Sequence, residues 1–148
     1  MAESSGRKFG GAWERIIQTR ARSNGLLILK NDLSAKFIGG GGVRVVKSDL
    51  DFRVFTRQGK AAYFDAKTFS NPYFDFSDLK EHQVQRSLLY LDWNISSGFL
   101  CWFRPTDRVA FFKGSLIAQQ GPGTRFQPKD GLDIGNIQNF DLRAIMEL

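Results

Sequence analysis

Two neighbouring runs, "SDLDFRVF" (48–55) and "AAYFDAK" (61–67), are joined only by "TRQGK" (56–60) and constrain the fold more than any other part of the chain. In the first, Leu50, Phe52 and Val54 alternate with Asp49, Asp51 and Arg53. In the second, Ala62, Phe64 and Ala66 take one face while Asp65 and Lys67 take the other. Alternation with a period of two is the mark of half-buried strands, and Gly59 supplies the turn between them. The pair is therefore an antiparallel hairpin whose polar face carries Asp51, Asp65 and Lys67. A core strand gains little from an isolated buried charge pair, because desolvation offsets most of the attraction. The charges are thus either surface ion pairs (Asp65–Lys67 and Asp51–Arg53) on a solvated face, or a functional site.

The flanking sequence supplies the other elements of one domain. "GAWERIIQTRARS" (11–23) predicts a helix, with Trp13, Ile16, Ile17 and Arg20 near 3.6 spacing, ended by Asn24-Gly25. "LLILK" (26–30) predicts a short buried strand, and "GGGG" (39–42) a flexible loop. "SDLKEHQVQRSLLYLDW" (77–93) predicts a helix capped by Ser77 or Asp78 with Glu81 in its first turn. "GFLCWFR" (98–104) and "RVAFFKG" (108–114) are two more strands. The chain beyond Gly121 reads as irregular up to a short element ending in "DLRAIMEL". At 148 residues the expectation is a single α/β (α+β) domain around one mixed sheet, with residues 1–10 a flexible basic N-terminus.

Charge narrows the partners. Residues 1–47 carry nine Lys/Arg against three Asp/Glu, and residues 48–148 carry twelve of each. The whole surplus thus sits at Arg7, Lys8, Arg15, Arg20, Arg22, Lys30, Lys36, Arg44 and Lys47, the footprint of a polyanion binder. No apolar run approaches about 18 residues, and "MAESSGRKFGG" has no apolar targeting core, so the expectation is a cytoplasmic protein without a membrane partner. One cysteine, Cys101, excludes an internal disulfide and reads as a buried strand residue. With a single histidine, His82, no zinc site is expected.

If the polar face is a site, its chemistry follows from proximity. Antiparallel neighbours lie about 5 Å apart, so Asp51, Asp65 and Lys67 can converge. Two carboxylates that close repel unless a cation sits between them, and Mg²⁺ is the hard, oxygen-seeking choice. A lysine beside it would help to position an activated water, which points to phosphodiester hydrolysis. A second D-x-K, Asp78 to Lys80, opens a helix and reads as capping.

The series "SDLDF", "YFDAKTF", "FDFSDLKEHQ" and "GFLCWFRPTDRVAFFKGSLI" resembles the RecU-type Holliday junction resolvases of the PD-(D/E)XK nuclease superfamily, in order and spacing, over residues 48–117. Upstream, "GGAWERII" resembles the family's helix start. The resemblance implies a restriction-endonuclease-like core and a structure-selective, Mg²⁺-dependent endonuclease, with Mn²⁺ expected to substitute and no small-molecule cofactor. It implies that Asp51 and Asp65 hold the metal, with the Ala66 carbonyl as a further ligand, and that Lys67 is the catalytic lysine. Glu14 would reach the site from the first helix, and Gln83 would sit near the metal or the scissile phosphate, with His82 beside it. It also implies branched double-stranded DNA as substrate, a homodimer, and a place in DNA recombination and repair in a bacterial or bacteriophage-infected cell, associated with the nucleoid.

The departures bear on substrate rather than chemistry. The stalk that the family uses on branched DNA is shortened here to 36–47, a short stalk bringing Lys36, Arg44 and Lys47 to phosphates or else a loose loop. Asp49 and Leu50 stand where the family tends to have threonines. Phe69, Tyr73, Phe74 and Phe76 follow the second strand and would face DNA or a dimer interface. Two other functions fit the same residues: a nuclease of this superfamily acting on nicked, flapped or linear DNA, and a basic DNA-binding module whose carboxylates are structural.

Overall fold

The computed structural model describes residues 2–31, 34–38, 42–46 and 49–147. The first helix, α1, spans Ala2–Ser23. Trp13, Ile17 and Ala21 recur every four residues, and all three are buried. The helix starts nine residues before Gly11, so the segment expected to be a loose terminus is helical. Phe9 accounts for this, because its ring sits edge-on to Trp102 at 6.4 Å between centroids.

Strand β1, Leu27–Lys30, is an edge strand rather than the buried one expected: Leu27 is 58 % and Leu29 40 % exposed. Leu26 and Ile28 point into the core on the other face. Strands β2 (Ser34–Ile38) and β3 (Gly42–Val46) pair antiparallel as a separate two-stranded ribbon. Within the 36–47 segment, the described residues 36–38 and 42–46 are thus paired as strands. Of the four glycines, Gly42 opens β3, while residues 39–41 and Lys47 lie outside the described residues.

The predicted hairpin forms β4 (Phe52–Phe55) and β5 (Ala61–Phe69), antiparallel with Phe52 opposite Phe64. A two-residue strand β6 (Phe74–Asp75) and a 3₁₀ turn precede helix α2, Glu81–Asp92. The cap of this helix falls two or three residues later than the capping pattern suggested. Asp78 serves the 3₁₀ turn instead, accepting the Asp75 N–H at 2.8 Å, and Lys80 takes the cap position of α2 without a side-chain bond. Strands β7 (Ser96–Phe103) and β8 (Arg108–Lys113) follow, then a seven-residue helix α3 (Gly114–Gln120), β9 (Arg125–Phe126) and β10 (Leu132–Gly135). A 3₁₀ turn over Leu142–Glu147 ends the described chain.

Among the described residues the main sheet has six strands in the order β1-β4-β5-β7-β8-β10. Every pairing is antiparallel except β5 with β7, which α2 connects. One face packs on α1 and the C-terminal 3₁₀ turn through Trp13, Ile17, Phe64, Leu100, Phe111 and Ile145. The other packs on α2, α3 and the β6–β9 ribbon through Val84, Phe99, Phe103, Phe112, Ile117 and Phe126. Phe69 and Phe74 belong to this second core, stacked at 5.0 Å, and Phe74 is buried. These aromatics therefore fill the protein's own interior rather than a DNA-facing or dimer surface, and Tyr73 lies under the Arg125 guanidinium.

Register places the chemistry at one rim. Lys30 lies opposite Phe52, Phe52 opposite Phe64, and Phe103 both beside Phe69 and opposite Arg108. The end of β1, the start of β4 and the ends of β5 and β7 therefore share one edge, and the β2–β3 ribbon leaves and re-enters the sheet there. The middle of α1 reaches this rim, since Glu14 meets Lys30, while its last turn lies at the opposite one, where Leu26 N–H bonds to Ala21 O.

The β8–β10 edge is tied by Arg108 and Asp133, two bonds of 3.0 and 2.6 Å that hold the Asp133 carboxyl below the usual carboxylate range. Asp141 is lowered in the same way by Arg143. A carboxylate whose folded pKa is depressed contributes stability that is complete above its unfolded pKa, about 4, and is lost as pH falls through the folded value. The urea midpoint is thus expected to be flat from about pH 7 to pH 5 and to fall below about pH 4. Asp133→Asn should flatten part of that fall, and an unchanged acid limb would assign it to other groups.

Candidate active site

The central position of β5 puts Asp65 between β4 and β7, opposite Phe99, and leaves it 1 % exposed. Its Oδ2 receives two donors, the Lys67 Nζ at 3.1 Å and the Gln83 Nε2 at 3.1 Å. Lys67 is on the same face two residues along, as the strand period requires. Gln83 comes from the first turn of α2 and is itself buried. The Asp65–Lys67 pair is therefore not a solvated surface pair. The carboxylate is interior, and the ammonium side chain keeps 20 % exposure at the rim.

Asp51 immediately precedes β4. Continuing the Phe52–Phe64 register by one residue sets it opposite Asp65. Its Oδ2 accepts the Ala66 N–H at 3.0 Å, and its backbone carbonyl accepts the Asn31 N–H at 2.7 Å. Two buried carboxylates thus face each other across neighbouring strands, at 7 % and 1 % exposure. The Gln83 Oε1 is buried with no hydrogen-bond partner among the described residues. An interior acceptor without a donor is unfavourable by roughly 1–3 kcal/mol unless another group engages it.

The segment entering Asp51 is held from α2. The Tyr90 hydroxyl donates to Asp49 Oδ1, which also accepts the Leu50 N–H at 2.8 Å. Tyr63, two residues before Asp65 on the same face, braces the Tyr90 ring edge-on at 4.6 Å. Burial, followed by the bond to Asp49, raises the Tyr90 pKa far above the usual phenol value, so this donor stays protonated. Asp49, which departs from the resembled pattern, is therefore a fixed part of the frame. Nothing in the spacing of Asp49 and Tyr90 along the chain announces the contact.

Glu14 pairs with Lys30 at 3.0 Å. It arrives at the same rim, and among the described residues no three His, Cys, Asp or Glu side chains form a cluster that holds a metal. The third carboxylate implied by the resemblance is thus engaged by a lysine at the end of β1. His82 is exposed beside Gln83. Cys101 lies opposite Lys67, and burial pushes its thiol well up, so it is no thiolate nucleophile.

The basic residues divide. Arg20 donates to the Gln138 carbonyl and lies over the Phe140 ring, a packing role at the far end of α1. Arg22 is exposed in the same last turn, and Arg15 is exposed farther up the helix. Arg7 and Lys8 fall in the first half of α1, while Lys36 and Arg44 stand opposite each other on the rim-side ribbon. Arg104, outside the basic first third, directly follows β7 at this rim.

A mixed central sheet flanked by three helices, with paired carboxylates and a lysine on adjacent strands, is an α+β architecture of the restriction-endonuclease-like kind. Comparison with protein-family models finds no match, and neither does comparison with curated proteins. Among solved structures the chain is similar to Hjc of Archaeoglobus fulgidus, a Holliday junction resolvase from an archaeal hyperthermophile. The TM-score is 0.60 at 12 % identity, covering 84 % of this chain and 96 % of that one. At that identity the likeness establishes the shared fold.

Proposed function

We propose that this protein is a metal-dependent endonuclease that cuts branched DNA, with four-way junctions as the preferred substrate. The observation that carries the reading is the meeting at one rim of two buried carboxylates on neighbouring strands with the Lys67 ammonium on Asp65. A solved protein of the same fold being a Holliday junction resolvase supports the choice of substrate.

The residues fit a divalent cation of the Mg²⁺ kind. The donor set is oxygen only, two carboxylates face each other, and the buried Gln83 Oε1 adds an acceptor. Asp51, Asp65 and the Ala66 carbonyl would hold the ion, and Mn²⁺ is expected to substitute. When bound, such an ion neutralises charge developing on the phosphoryl oxygens and lowers the pKa of water.

The chain's own groups do the rest. Gln83 fixes the orientation of the Asp65 carboxylate, and the Ala66 N–H does the same for Asp51. Lys67, anchored at one end on Asp65 and open to solvent at the rim, sets a positive charge where a phosphate arrives and stabilises the charge that builds as water attacks in line. Paired nicks on opposed strands of a junction with two-fold symmetry need two such sites, which a second copy of the chain supplies.

The test is cleavage of an end-labelled four-way junction beside a linear duplex of the same sequence, with Mg²⁺ or with EDTA. The expected result is symmetric paired nicks in the junction alone, abolished by EDTA. Equal cutting of the linear duplex would retain the active site and remove the junction preference. Binding without cutting of either substrate would favour a module whose carboxylates are structural.

A further inference from the structure

Three surface arginines are each tied to a carboxylate: Arg108 to Asp133, Arg125 to Asp75 and Arg143 to Asp141. Arg104 has none among the described residues, yet three contacts fix its position. Its guanidinium carbon lies 4.2 Å from the centroid of the Phe9 ring. Its Nη1 donates to Thr68 Oγ1 at 2.7 Å, and that hydroxyl donates in turn to the Trp102 carbonyl at 3.2 Å. The Arg104 backbone N–H is fixed on the Phe69 carbonyl at 3.1 Å.

These contacts use the ring face and one of five N–H donors. They leave a partly buried cation without a counter-charge, and burial pulls its pKa below the usual guanidinium value. A partly desolvated charge with no opposite partner gains when an anion arrives. The location says which anion. Thr68 directly follows Lys67, so Arg104 stands at the same rim, on the α1 side of the sheet, beyond the lysine that faces α2. A planar guanidinium held by stacking and one hydrogen bond is pre-organised for two-pronged contact with phosphate oxygens.

We propose that Arg104, braced by Phe9 and Thr68, grips a backbone phosphate of the DNA strand that crosses the active rim, next to the phosphate that is cut. The inference rests on the endonuclease reading and adds to it a positioning contact from outside the basic N-terminal third.

The test uses the full chain carrying Asp65→Asn, so that DNA is bound but not consumed. Anisotropy of a labelled junction is followed from about 50 to 200 mM salt. Adding Arg104→Gln is expected to weaken binding and to flatten the slope of log affinity against log salt by about 0.9, the loss of one phosphate contact. Arg104→Lys should keep the slope, because the charge remains. Phe9→Leu should weaken binding at every salt concentration with the slope retained, since only the brace is lost. Parental affinity and slope in a folded Arg104→Gln protein would overturn the proposal, as would a change in melting temperature alone, the mark of a tie between strand ends. If Arg104→Gln does not fold, the Phe9→Leu protein decides, and parental affinity there overturns it equally. Failure of the Asp65→Asn parent to bind any DNA would instead overturn the endonuclease reading on which all of this stands.

Discussion

Cleavage by the Asp65→Asn protein is expected to fall by about a thousandfold or more, while its melting temperature in EDTA holds or rises. The substitution keeps an oxygen that accepts the Gln83 Nε2 and removes only the charge. That charge is the part the fold does not need. It is 1 % exposed and faces a second buried carboxylate, so neutralising it relieves repulsion within the sheet. Lys67 gives up a partner but, at 20 % exposure, can turn its ammonium to water. Asp51→Asn should behave likewise, since an amide oxygen still accepts the Ala66 N–H. Lys67→Ala removes the rim cation and is expected to slow cleavage by about 10²–10³-fold with junction binding retained. Single-turnover cleavage and a melting curve in EDTA check both halves. An Asp65→Asn protein that cuts at the parental rate would falsify the active-site assignment. One that cuts slowly but melts well below the parent would make Asp65 a structural residue.

The site was legible where it followed the strand period and illegible where it depended on contacts between elements. Alternation alone put Asp65 and Lys67 on one face and Ala62, Phe64 and Ala66 on the other, and the sheet keeps that division. The same alternation set Asp51 against Asp65. The periodicity of "LLILK" said nothing about its place in the sheet, so an apolar run read as buried became an edge strand with Leu27 and Leu29 exposed. Helix α3 was missed because seven residues opened by a glycine carry too little pattern to separate helix from loop. Asp78 looked like a cap for α2, but the preceding 3₁₀ turn claimed its carboxylate first. Glu14 was expected beside the carboxylates from the resemblance. In space it meets Lys30, sixteen residues away, a pairing no linear pattern encodes. Gln83 came from the resemblance as well, and its buried amide on Asp65 is now a geometric fact. Arg104 had no signal at all, since "FRPTDR" reads as an ordinary turn and its meaning depends on Phe9 lying above it.

The largest structural effect is expected from Gly98→Ala, a single added methyl group at the foot of β7. A Cβ built there would lie 2.0 Å from the Phe112 carbonyl oxygen and within 2.9 Å of the Phe112 carbonyl carbon and the Lys113 Cα. All three are backbone atoms of β8, the strand paired with Gly98 in the sheet, so no side-chain rotation relieves the clash. The strands must separate, and separation takes Phe99, Cys101 and Phe112 out of register in the second core. Overpacking of this kind costs about 3 kcal/mol or more, a large share of the roughly 5–15 kcal/mol that holds a domain of ordinary stability. A change of the same type in α1 gives the opposite sign. A Cβ at Gly10 meets nothing within 4 Å, so Gly10→Ala should gain about 0.5–1 kcal/mol from helix propensity. Urea unfolding of the two proteins reads both signs, and a Gly98→Ala midpoint equal to the parent's would show that the two strands part at little expense. The consequence for function is specific, because Gly98 precedes Phe99, the residue opposite Asp65. A folded Gly98→Ala protein should therefore cut DNA more slowly than its stability alone implies, with Mg²⁺ needed at higher concentration, because the floor beneath the carboxylate pair has shifted.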